Sequence, residues 1–463
     1  MTGATQSATA LAAAIRAKEI SSRELLDVYL DRIERLNPAI NAVVTLDVDR
    51  ARDAATAADA VVARGDDLGR LHGLPITVKD AIEVGGVRST GGAVALTDHV
   101  PQEDAPVVRR LKDAGAVVFG KTNVPEWSGD LQTYNEIFGT TNNPWALDRV
   151  PGGSSGGPAA AVSAGLTAFE TGTDIGGSIR IPAHCCGVFG LKPSFGVVAQ
   201  RGYLDHVGGG TTDADINVFG PLARSAEDLD LLLGVIAGPE PERELAWRVE
   251  LPAPRRRDAG EYRVGVWFEA PDAPVDAEYL ALLRRAADGL SDAGATVDDA
   301  RPPVDFAEQL SLFNQLIAAA ISPSMPGEAA EAMGGSHRAW LAADERRAAL
   351  RRTWALWFES YDALLCPVML TPAIPHLQEG DFATRTIEVN GADEPYFKLV
   401  SWTGLIGVVG LPSAVPPIGR TTAGVPTGVQ VVTAYLRDRE AIHLASLVAE
   451  CSGGGYAVPK GFE

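Results

Sequence analysis

Apolar positions along the chain change period several times, and each change predicts an element. From Leu25 they recur at helical spacing through Tyr29, Ile33 and Leu36, behind a Ser21–Glu24 capping box. Asn37-Pro38 predicts the end of that helix. A second, alanine-rich helix runs from about Asp47 to Ala63. The texture then shifts: Leu74-Pro75-Ile76-Thr77-Val78 reads as a buried strand leading into Lys79-Asp80. A helix from about Ala105 to Ala114 precedes a strand over Ala116–Phe119, and a glycine-dense β/α alternation fills Gly152–Gly196. This alternation predicts an α/β sheet with helices on both faces.

Residues from about Pro239 to Gly260 read as a polar surface connection. Beyond it, Arg263–Trp267 is strand-like, Ala277–Ala293 helix-like, His337–Ser360 a long helix and Asp362–Cys366 a strand. A polar loop spans about Thr371–Glu394, and Val425–Ala434 and Arg437–Cys451 give a last strand and a last helix. Leu399–Gly419 is uncharged and long enough to span a bilayer. Its three prolines and the glycines at 404, 407 and 410 suit buried turns and short strands instead.

Composition narrows the function classes. With 46% apolar residues, 463 residues can bury a sizeable core. A net charge of −20 repels phosphate backbones and anionic lipid heads, so neither nucleic acid nor membrane is an expected partner. Cys185, Cys186, Cys366 and Cys451 match no zinc or redox spacing, and the adjacent pair reads as small buried residues rather than a disulfide. Met1–Lys18 lacks the basic start and apolar core of a secretory signal, and the expected setting is cytoplasmic.

Three segments carry candidate chemistry. In Pro151-Gly152-Gly153-Ser154-Ser155-Gly156-Gly157, four glycines surround two serines, a composition tolerated where backbone must approach a ligand closely. A flexible linker is the rival reading, but the apolar, alanine-rich stretch Pro158–Gly165 follows at once. In Gly172–Arg180, Gly176 and Gly177 precede Ser178, and successive N–H groups in such a turn can converge as an oxyanion hole does. Asp174 and Arg180 can pair to stiffen that loop. Lys79 ends an apolar strand, where an ammonium is costly; burial lowers its pKa, and a neutral lysine can accept a serine proton. Taken alone, Lys79 reads rather as a strand-end lysine that reaches solvent or pairs with Asp80.

Two patterns mimic other chemistry. Gly152-x-Ser154-x-Gly156 matches a nucleophile elbow, but turn-forming residues precede it instead of a strand. Gly115–Thr122 matches a P-loop, but its interval is strand-like and Pro125 follows. His184, six residues beyond Ser178, takes a structural reading.

In order along the chain, Gly73–Asp80, Gly120–Asn123, Pro151–Gly157, Gly172–Pro182 and Gly187–Pro193 resemble the amidase-signature family, as do the weaker Gly410–Pro412 and Pro426–Gln430. The resemblance implies a mixed central sheet covered by helices on both faces. It implies one domain over residues 1–463, with a core at about 65–235 and a variable, substrate-shaping part at about 240–400. It also implies a Ser–Ser–Lys triad: Lys79 as base, Ser154 as relay after a cis peptide bond, and Ser178 as nucleophile. The N–H groups of Ile175, Gly176, Gly177 and Ser178 match the oxyanion hole. Thr173, Asp174, Arg180 and Ser155 stand next to the triad. No metal or cofactor is implied.

The substrate is expected to be a small-molecule amide or carbamate, with the protein a monomer or homodimer. Anilides and esters share the same tetrahedral chemistry. The pocket is expected to include Trp127, Ser128, Leu131 and Tyr134, joined by Trp402 and Ile406 from the later segment, and aromatic and apolar walls suit apolar or aryl acyl groups. The rival classes are a Ser-His-Asp esterase and a glutamine-dependent amidotransferase subunit.

Overall fold

Ser21 begins the helix Ser22–Ile40: its side chain accepts from Glu24 N–H at 3.0 Å, while the Glu24 carboxylate accepts from Ser21 N–H at 2.9 Å. The computed structural model in which this is seen describes residues 3–463, so Met1 and Thr2, the start of the segment read for a secretory signal, lie outside it. The helix does not stop at Asn37-Pro38. It carries Pro38 in its last turn and ends where Asn41 turns left-handed. Proline removes one helical N–H, and the Asn37 side chain ties down the exit, accepting from Ala42 and Val43 N–H at 2.8 and 2.9 Å. A short helix, Ala8–Arg16, precedes it, and Val48–Arg64 follows.

Two sheets position the site. The smaller joins β1 (Val43–Leu46), β2 (Pro75–Lys79) and β3 (Val117–Thr122), with β1 antiparallel and β2 parallel to the central β3. The helix Pro106–Asp113 lies on the crossover from β2 to β3, as a parallel pair requires. Lys121 of the P-loop lookalike therefore sits in a strand, its buried Nζ donating to Ile82 O at 2.5 Å and Ser89 Oγ at 2.8 Å, with no loop to cradle a phosphate.

The larger sheet has eight strands: β4 (Glu170–Asp174), β5 (Phe189–Lys192), β6 (Val218–Ala223), β7 (Arg263–Val266), β8 (Thr296–Asp298), β9 (Ala363–Cys366), β10 (Ser413–Val415) and β11 (Gln430–Thr433). Their spatial order is β8-β7-β9-β11-β10-β5-β6-β4. β7 runs parallel to both its neighbours and the other pairs are antiparallel, so the sheet is mixed. β4 also touches β2 of the smaller sheet: Thr77 N–H donates to Thr167 Oγ1 at 3.0 Å and Thr77 Oγ1 donates to Glu170 Oε1 at 2.5 Å. This junction brings the end of β2, and Lys79 with it, to β4.

The second half of the chain departs from its reading in several places, among them the strand Thr296–Asp298 and the helix Ser401–Gly407, neither of which was expected. The stretch expected as one strand over Val425–Ala434 is split. Pro426–Gly428 pairs with Pro417–Arg420 in a separate ribbon, and only Gln430–Thr433 joins the large sheet. The polar loop at about 371–394 contains a hairpin, Thr386–Val389 with Ala392–Pro395, turned at Asn390-Gly391 with φ 53° and 81°. The helices Phe306–Ile321 and Gly327–Gly334 lie where no element was expected. Leu399–Gly419 forms buried turns, the helix Ser401–Gly407 and short strands. No helix among the described residues is long and apolar enough to cross a membrane.

Candidate active site

All five residues of β2 are buried, and its last side chain, Lys79, is fully enclosed. Its Nζ lies 2.8 Å from Ser154 Oγ, 3.0 Å from Ser155 Oγ and 2.7 Å from Thr173 Oγ1. Three hydroxyls suit either protonation state: an ammonium donates to all three, and a neutral amine accepts from one and donates to the others. Burial pulls the lysine pKa down to about 7, against the opposing pull of the Asp174 and Glu170 carboxylates. Lys79 can thus gain and lose a proton in place near neutrality.

The double-serine loop is held by contact rather than by regular structure. The Gly153–Ser154 peptide bond is cis. A Cβ on Gly153 would fall onto the backbone of residues 130–132, and one on Gly157 onto the backbone of Asn123. Thr133 Oγ1 donates to Gly152 O at 2.9 Å. No strand precedes Ser154, so the elbow lookalike lacks its defining support.

Ser178 lies on a loop stiffened by a fully buried ion pair. Arg180 Nε and Nη2 donate to the two Asp174 oxygens at 2.9 and 2.8 Å, and Arg180 Nη1 reaches Thr403 O and Gln430 Oε1. Ser155 N–H donates to Ser178 O at 3.1 Å and joins the two serine loops. One expected oxyanion donor is corrected: Gly177 N–H is directed at Asp174 Oδ1 at 2.8 Å, and Gly177 does not line the cavity, whereas Ile175, Gly176 and Ser178 do.

That cavity has a volume of about 840 Å³, within the usual range for a small-molecule site. Ser128, Leu131 and Tyr134 form one side, as expected from the sequence. Ile317 and Ile321 from Phe306–Ile321 also line the cavity, with Met325, Met333, Phe382 and Phe397. Three expected pocket residues are displaced from it. Trp127 lies in the same turn as Ser128 without lining the cavity. Trp402 is fully buried, its indole N–H donating to Ala273 O at 3.2 Å and its ring set edge-on to Trp267 and Phe306. Ile406, on the same helix, is likewise core. An uncharged helix supplied nothing to tell a cavity face from a core face.

Several site residues escaped sequence reasoning. Glu170, buried beside Lys79, has a carboxyl pushed up to about 7 by burial, and it also accepts from Thr122 Oγ1 at 3.0 Å. Thr403 Oγ1 donates to Gly176 O at 2.7 Å and holds the Ser178 loop from far along the chain. No local pattern marks either. His184 offers no base: Gly428 N–H donates to its Nδ1 at 3.0 Å, its Nε2 meets Thr371 O at 3.1 Å, and burial lowers its pKa to about 4. Cys185 and Cys186 are free and buried. Among the described residues no group of His, Cys, Asp and Glu is placed to hold a metal ion.

Comparison with known proteins bears on this site directly. The model of the amidase family matches residues 24–326 and 311–442. An indoleacetamide hydrolase of Bradyrhizobium diazoefficiens is 35% identical, over 96% of this chain and 86% of its own. A glutamyl-tRNA(Gln) amidotransferase component of Synechococcus sp. is 33% identical, over 92% of each chain. Among solved structures, a bacterial aryl acylamidase of the amidase-signature family superposes with a TM-score of 0.83 at 26% identity, covering 96% of both chains.

Proposed function

Because the chain belongs to the amidase family, we propose that it hydrolyses uncharged amides of apolar or aryl carboxylic acids, with Ser178 as nucleophile, Ser154 as relay and Lys79 as base. The observation that carries this reading is the fully buried Lys79, its Nζ 2.8 Å from Ser154 Oγ and its pKa near 7. In this reading neutral Lys79 takes the proton of Ser154, and Ser154 takes that of Ser178. Ser178 Oγ bonds to the amide carbon, and the N–H groups of Ile175, Gly176 and Ser178 receive the charge that develops on oxygen. The proton returns through Ser154 to the departing nitrogen, the C–N bond breaks and an amine leaves. Water, deprotonated by the same pair, then splits the acyl-enzyme into carboxylic acid and free Ser178. Ser155 and Thr173 hold Lys79 in line, and Asp174 and Arg180 hold the nucleophile loop.

The apolar wall and the indoleacetamide and aryl acylamide substrates named for two relatives support arylacetamides and anilides as first probes. Carbamates and esters would enter by the same route. The protein acts in this reading as one domain without a partner chain, as a monomer or homodimer in the cytoplasm, where the free thiols of Cys185, Cys186 and Cys366 persist. Turnover of phenylacetamide by the purified chain tests the reading and tells it from an amidotransferase component that needs partners. Ser178→Ala is expected to lower kcat by at least about ten-thousandfold with folding intact. A folded variant with near-normal turnover ends the proposal.

A further inference from the structure

Among the described residues, Arg385 is the one cation that lines the cavity, against the acids Glu126, Asp130, Glu136 and Asp381. Arg385 is nearly enclosed, and each of its three nitrogens donates to a neighbour. Its Nη1 donates to Asp130 Oδ2 at 2.9 Å. Nη2 donates to Tyr134 OH and Gln378 O, both at 3.0 Å, and to Gly380 O at 3.3 Å, while Nε reaches Glu379 O at 3.3 Å. Asp130 is equally occupied, accepting Tyr396 OH at 2.7 Å and Tyr134 OH at 3.2 Å besides the guanidinium. Its side chain keeps 11% of its surface exposed and that of Arg385 6%. At the rim, the carboxyl of Glu126 is pushed up by partial burial and by the charge of Glu136. A carboxylate entering this space would shed water, meet acids, and find its charge balanced by no cation other than the one Asp130 already holds.

We propose that Asp130, by holding Arg385, makes the cavity selective for amides that carry no carboxylate, and that this pair decides between neutral and anionic substrates. The inference rests on the hydrolase reading above and names the substrate charge for that same site. An unmasked guanidinium in the wall of an apolar cavity is a ready carboxylate anchor, since it presents a planar fork of donors. The Asp130 carboxylate takes the place a substrate carboxylate would need. The carbonyls of Gln378 and Gly380 fix the guanidinium in reach of the cavity, so removing the Asp130 charge frees it without removing its support.

The test compares kcat/KM for phenylacetamide and for 4-carboxyphenylacetamide, which differ by one carboxylate. The wild type is expected to prefer the neutral amide by at least about tenfold, the scale of one uncompensated charge-assisted hydrogen bond. Asp130→Asn should narrow that preference by about tenfold, and the double variant Asp130→Asn with Arg385→Met should restore it. Equal wild-type efficiencies, or an unchanged preference in folded Asp130→Asn, would overturn the inference. Arg385→Met decides the matter should Asp130→Asn fail to fold. A masked arginine predicts that both substrates change together, to within about threefold, whereas selective loss of the anionic one would show that Arg385 is already open. Failure of the underlying reading looks different: the wild type would turn over neither amide, or Ser178→Ala would turn over both.

Discussion

Around Lys79, nearly every atom is fixed by a neighbour: a Cβ on Gly153 or Gly157 would strike backbone, and Nζ meets three hydroxyls within 3.0 Å. Elsewhere on the cavity wall, Met325 is 37% exposed, and Met333 projects from a short helix, Gly327–Gly334, that buries no residue fully. The proton transfer proposed along Lys79, Ser154 and Ser178 needs sub-ångström placement, which close packing supplies. Accepting a range of acyl groups needs a surface that can re-pack, and flexible thioethers supply that. The two regions should therefore fail differently when altered, one in kcat or folding and the other in KM.

The largest effect should come from the centre. Lys79→Met keeps the volume of the stem and removes the proposed base, and kcat should fall by about a thousandfold, near 4 kcal/mol of transition-state stabilisation. The wild-type pH profile carries the sign. The base must be neutral, so kcat/KM should rise as pH increases through about 7, the value to which burial brings Lys79, and level off above it. Glu170 titrates in the same region. Residual activity of Lys79→Met measured from pH 5 to 9 separates them: a limb that vanishes belongs to the lysine, and one that persists belongs to Glu170 and breaks the assignment.

A smaller but still large effect should follow from Gly157→Ala. The added methyl would press on Asn123 N and O, which are backbone atoms of the segment following β3 and cannot swing aside as a side chain would. Overpacking of this kind costs about 1–3 kcal/mol, so the thermal midpoint should fall by several degrees, read by calorimetry. A midpoint equal to that of the wild type would show the centre to be softer than its packing implies and would blunt the contrast with the wall.

The contrast also explains what could be read from the chain alone. Lys79, Ser154 and Ser178 drew attention through local pattern, a lysine ending an apolar strand and glycines crowded about serines, but their proposed roles came from the family resemblance. Asn390-Gly391 marks the hairpin at 386–395 by a dipeptide that favours both residues at positive φ, yet only Thr386–Val389 alternates polar and apolar, over four residues, while its partner Ala392–Pro395 is mostly polar and ends in proline. Trp402 and Ile406 were misplaced because an uncharged helix gives no clue to which face meets a cavity. Asp130–Arg385, Thr403–Gly176 and Gln132–Leu377 join residues more than 220 positions apart, and pairs so distant leave no periodicity to find.

The smallest effect tests the wall itself. Met333→Ala removes a side chain that lines the cavity yet is not buried in the core. For a bulky anilide the lost contact is worth about 1 kcal/mol, so KM should rise by about threefold to tenfold. No contact of Met333 reaches the hydroxyls around Lys79, so kcat and the thermal midpoint should stay put. A short acetamide never touches that side and should show no change in either constant. If kcat fell with KM for both substrates, the wall would be coupled to the proton path, and the division between a rigid centre and an adaptable wall would have to be redrawn to include Gly327–Gly334 on the rigid side.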